Sequence, residues 1–154
     1  MTRRFRAVAV VLAMVSVVPV IAAQTKPAPS GQAPAKLTGV MADLQGVWTM
    51  TSNNGQDMAG SGQVVVTTIT GNKYEQTANG QVAERGTFKV DESKKPMTVD
   101  ISPTEGQYAG MSELGVCQLS GKTLTCKIAQ PGVAARPTDF APADGFTTFV
   151  MVKK

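Results

Sequence analysis

Residues Val64 to Val90 read VVVTTITGNKYEQTANGQVAERGTFKV, and three features of that stretch set the fold class. Val64 to Thr70 is a β-branched run, whose stiff side chains suit a pleated, half-buried surface. Gly71-Asn72 and Asn79-Gly80 each mark a two-residue turn. Asn79-Gly80 is the stronger signal, because both central positions of a type I′ turn need positive φ. Tyr74 to Thr77 and Val82 to Val90 are then the arms of a hairpin. A strict two-residue turn sets Glu75 opposite Glu84, a destabilising like-charge pair, and puts Glu84 on the face of Phe88. A bulge at Gly86 is therefore expected, moving Phe88 to the other face.

The same pattern continues on both sides. Met97, Val99 and Ile101 share one face of the strand Met97 to Ile101. Gly46 to Thr51 is a strand carrying Trp48, and Phe146 to Val152 is another. Lys94-Lys95-Pro96 reads as a turn between strands, its lysines solvated. Only Thr38 to Leu44 suits a short helix. About eight or nine short strands at this spacing predict an all-β antiparallel barrel or sandwich.

Cys117 and Cys126 flank a Gly-Lys hairpin. With Ser120 to Thr123 as its tip, Leu119 faces Leu124 and Cys117 faces Cys126. Directly opposed residues have Cα atoms roughly 4.5–5.5 Å apart, within reach of a disulfide. Closing this loop contributes about 2–3 kcal/mol in the chain-entropy account. A redox couple lacks its C-x-x-C motif. Two buried reduced thiols are the other alternative, since both residues share an apolar face with Leu119, Leu124 and Ile128.

The N-terminal residues 1–23 read as a signal peptide. Arg3, Arg4 and Arg6 form a positive start, Ala7 to Val18 an apolar run, and Ile21-Ala22-Ala23 a small-residue cleavage site before Gln24. Pro19 interrupts the run well short of the roughly 20 residues a spanning helix needs, so no transmembrane anchor is expected in the mature chain. Residues 24–36, QTKPAPSGQAPAK, hold no large apolar residue and read as a flexible linker. The folded domain is expected over residues 37–154, exported to the periplasm or the medium.

The chain has 15 Lys and Arg against 11 Asp and Glu, a net charge of +4. Setting aside Arg3, Arg4, Arg6, Lys26 and Lys36 leaves ten basic residues against those 11 acids. No clustered positive charge remains to suggest a nucleic-acid partner. The absence of His removes the common triads and His-assisted metal sites. The carboxylates are spread singly, apart from Asp91-Glu92, so no catalytic set, metal site or cofactor site can be assembled.

Four elements occur in order along the domain: Leu44-Gln45-Gly46-Val47-Trp48; Val90-Asp91-Glu92-Ser93-Lys94-Lys95-Pro96 running on to Asp100-Ile101; the Gly121-Lys122 hairpin; and Arg136-Pro137-Thr138-Asp139-Phe140. This series resembles an exported bacterial lipocalin-like domain family of uncharacterised function. The recurring pattern there is L-x-G-x-W, V-D-x-S-K-K-P-x-x-x-D-I, a G-D or G-K turn, and R-P-x-x-F. The resemblance implies a single antiparallel β-barrel of about eight strands with at most one short helix. It also implies that Arg136 stacks on Trp48 to close one end of that barrel, a contact worth about 0.5–2 kcal/mol.

A barrel of that size either fills with side chains or holds one small ligand. The expected function is a noncatalytic, exported domain whose lumen takes a small apolar molecule. Val65, Ile69, Phe88, Val99, Ile101 and Tyr108 are the expected lumen residues. The alternative is an envelope or secreted protein-interaction or inhibitor module with a filled barrel. Such a module would use rim loops at Ser52 to Gly62, Gly106 to Met111 and Gln130 to Ala135.

Overall fold

A computed structural model describes residues 37–154. The signal peptide and linker expectations lie outside the described residues. The elements are α1 (Val40–Asp43), β1 (Gly46–Asn53), β2 (Gln56–Asp57), β3 (Val65–Thr70), β4 (Lys73–Ala78), β5 (Gln81–Asp91), β6 (Met97–Gly106), β7 (Glu113–Ser120), β8 (Thr123–Ala129) and β9 (Phe146–Lys153). Every strand pairing is antiparallel, and β9 returns to β1. The sheet therefore closes as an eight-stranded barrel, with β2 as a short extra strand beside β1. Closure leaves the eight wall strands without a free edge, the surest protection against edge-to-edge pairing.

The turn chemistry is as the sequence predicts. Asn79 and Gly80 both take positive φ, 50° and 80°, and the Asn79 side chain accepts a hydrogen bond from Val64 N at 2.8 Å. Cys117 faces Cys126, and Leu119 faces Leu124. The two cysteines form a disulfide with Cα atoms 4.1 Å apart.

The first hairpin departs from expectation in one respect. Thr77 pairs with Val82, but Gln76 pairs with Glu84, so the extra residue is Ala83 and not Gly86. That shift separates the like charges. Glu75 now faces Arg85, and their side chains meet at 2.7 Å. Because the bulge falls before Glu84, Glu84 and Phe88 stay on one face, the inner one. Gly86 adjoins a second shift, between β5 and β6, where the extra residue is Thr104. Gly86 itself is required by Tyr74. A Cβ there would lie 2.7 Å from the Tyr74 ring and 2.6 Å from Ser102 O.

Three further expectations are corrected. The helix is only Val40–Asp43. Gly39 at its N-cap offers no side-chain oxygen, and the Val40 amide instead donates to Glu92 Oε2 at 3.0 Å. Residues 52–62 are not one loop. Asn54 and Gly55 take positive φ of 49° and 77° and turn β1 directly into β2, a second Asn-Gly hairpin signal that the sequence reading passed over.

Arg136 does not touch Trp48. It lies in the β8–β9 connection on the barrel's outer face. There Nη1 donates to the carbonyls of Val99 and Gly115, both at 2.8 Å, and Nη2 pairs with Asp100. Lys153 takes the place expected of Arg136. Strand pairing sets Lys153 opposite Trp48, and its Nζ sits 5.4 Å from the indole centroid.

The core follows from the alternation. The inner faces of six strands supply Trp48, Ile69, Phe88, Met97, Val99, Leu124, Ile128 and Met151, all buried. Trp48 is fully buried, and its Nε1 donates to Leu44 O at 2.8 Å. Leu44 and the α1 segment cover this end of the barrel. Gln45 ties the segment to the β3–β4 turn, donating to Gly71 O and accepting from Gly71 N. Lys153 Nζ donates to Asp43 O at 2.7 Å.

Candidate functional site

The other end stays open, and the inner face leading to it bounds a cavity of about 700 Å³. That volume falls inside the range of small-molecule pockets, roughly 300–1,000 Å³. Leu44, Ile69, Phe88, Met97, Leu124 and Met151 line its deep, apolar part, with the Cys117–Cys126 bridge in the wall. All but Leu44, which follows α1, come from inward-facing strand positions, which alternate as the pleat requires.

Of the residues expected from the sequence, Ile69, Phe88, Val99, Ile101 and Tyr108 line this cavity. Val65 does not. It shares a strand face with Thr67 and Ile69, but β1 pairs with β3 only as far as Thr49–Val66. Val65 therefore lies beyond the stretch where those two strands close the wall. Trp48 and Arg136 are not part of the cavity lining.

The polar lining toward the mouth was not legible residue by residue. Gln76, Glu84 and Glu113 join Tyr74 and Tyr108 there. Glu113 is inward because it pairs with Ile101 across β6 and β7, and the alternation of Met97, Val99 and Ile101 extended across that pair would have found it. Asn53 is inward because β1 carries an extra residue between Met50 and Ser52, which no local signal announces. Its Oδ1 is buried without a hydrogen-bond partner.

Tyr74 lies across Gly86 and donates its hydroxyl to Glu84 Oε1 at 2.6 Å. Burial, together with that bond and the Glu84 charge, pushes the Tyr74 phenol well above its usual range. Burial first, and the Glu84 charge second, push Glu113 up to about 7. The mouth thus presents acceptors, with one carboxyl that changes protonation near neutral pH. Among the described residues no group of three or more Cys, Asp or Glu is gathered to hold a metal ion. Nor is any helix among them long and apolar enough to cross a membrane.

No family model matches this chain, and neither a curated protein nor a solved structure matches it.

Proposed function

We propose that this chain is an exported, noncatalytic lipocalin-like domain that holds one small, largely apolar molecule inside its barrel. The observation that carries the reading is the cavity of about 700 Å³ with an apolar deep wall. A barrel serving only as a scaffold for rim loops would gain stability by filling that space, since lost packing contacts cost free energy. The cavity therefore favours the ligand reading over a protein-interaction module with a filled barrel. Export is supported by the Cys117–Cys126 bridge, because such bonds persist in oxidising compartments, and by the signal-like pattern of the first residues.

The test is a thermal shift and fluorescence titration with a neutral hydrophobic dye. A ligand at about a hundred times its Kd stabilises the folded state by about 2.7 kcal/mol, so the melting temperature should rise with dye concentration. Ile101→Trp, which places an indole in the cavity, should abolish dye binding while the protein still melts cooperatively. Absence of any dye response in the wild type, or unchanged binding in the Trp variant, would overturn the reading.

A further inference from the structure

The charge distribution in the cavity narrows its ligand, and we propose that the occupant is an amphipathic cation. Its apolar body would lodge toward Phe88 and Met97, and its ammonium or amidinium head would sit between Glu84 and Glu113. This assignment rests on the binding reading above and specifies the ligand class for the same site.

The lining contains two carboxylates and, among the described residues, no Lys or Arg. Nearby cations are engaged elsewhere. Arg85, next to Glu84 in the chain, points to the outer face and bridges Glu75 and Glu105 at 2.7 Å each. Lys127 is buried on the outer face against Asp139 and Ala141 O, and Arg136 is held by Asp100 and two strand carbonyls. A bound cation would supply the positive charge that the lining itself lacks.

The hydrogen-bonding inventory agrees. Tyr74, the donor beside Glu84, already gives its hydroxyl to that carboxylate, which leaves further lone pairs facing the cavity. Asn53 Oδ1 is an additional acceptor without a partner. An ammonium group brings donors and positive charge together, matching both features. A fatty acid would add a third negative charge, and a neutral ligand would leave the repulsion between the two glutamates in place. That repulsion and burial already favour the neutral form of Glu113 near neutrality.

Titration calorimetry of the full chain with dodecylamine, dodecanol and dodecanoate compares three heads on one apolar chain. At about pH 8 the amine should bind roughly tenfold or more tighter than the alcohol, the equivalent of about 1.4 kcal/mol, and dodecanoate weakest. Glu113 faces Glu84 from β5, Tyr74 from β4 and Tyr108 from the β6–β7 connection. Lowering the pH through about 7 protonates Glu113 and should shrink the amine preference. Glu84→Gln and Glu113→Gln should each reduce that preference severalfold while dodecanol affinity persists. Glu75→Gln, the same charge change on the outer face, should leave it intact. Equal affinity for amine and alcohol, or tighter binding of dodecanoate, would overturn the cation assignment and leave the apolar pocket standing. Failure of all three to bind would overturn both.

Discussion

The two ends of the barrel are made by the same strands and have opposite physics. At the closed end, Trp48, Lys153 and Gln45 all have partners within the chain. Trp48 Nε1 meets Leu44 O, Lys153 meets Asp43 O and the indole face, and Gln45 exchanges two hydrogen bonds with Gly71. At the open end, Glu84 and Glu113 face one cavity without a cation, and Asn53 Oδ1 has no partner, among the described residues. Buried polar groups are costly unless paired. The closed end therefore carries the stability of the fold, and the open end holds unspent interaction capacity, which is where a ligand gains most. Stability and binding are separated along the barrel axis.

That contrast makes substitutions at the closed end costly and those at the mouth mild. Trp48→Ala should have the largest effect, about 3–5 kcal/mol for deletion of a fully buried indole, read from denaturant unfolding. A loss below about 1 kcal/mol would show that the closed end is not the stabilising one. Gly86→Ala, midway along the wall, should cost about 1–3 kcal/mol through overpacking. Its Cβ would press on Tyr74 and Ser102 O, and ultraviolet difference titration should show the displaced phenol ionising at lower pH.

Lys153→Met should cost about 0.5–1 kcal/mol and change the fluorescence of the single Trp. Arg136→Met should leave that emission unchanged, because Arg136 binds Asp100 and strand carbonyls on the outer face. The reverse result would restore Arg136 as the closing residue. Glu113→Gln should have the opposite sign. With its carboxyl raised from 4.5 to about 7 in the folded state, Glu113 favours folding fully only below about 4.5. That contribution is lost as the pH rises through about 7. The Gln variant should therefore melt above the wild type at about pH 8 and lose that advantage toward about pH 5. A constant difference across that range would show that Glu113 is not desolvated.

Much of the wall was legible from short stretches. Met97, Val99 and Ile101 alternate as a strand, and Asn79-Gly80 carries its own backbone requirement, so both could be placed without knowing the fold. The cysteine pair followed from counting back from a hairpin tip. The mouth was less legible, because bulges at Ala83 and near Thr51 decide which way Glu84 and Asn53 point. The like-charge conflict between Glu75 and Glu84 pointed to a register shift, but a bulge at Gly86 lies beyond Glu84 and would have left that pair opposed, whereas an extra residue at Ala83 separates it. Only the latter leaves Glu84 inside.

The amino-acid order by itself determined the strand class, the turns and the pairing of Cys117 with Cys126, since each depends on residues a few positions apart. The partner of Trp48 and the meeting of Glu84 with Glu113 were decided only when β9 closed on β1 and the sheet curled. Those neighbours are distant in sequence, and their approach depends on register shifts summed around the whole barrel, a quantity no local stretch contains.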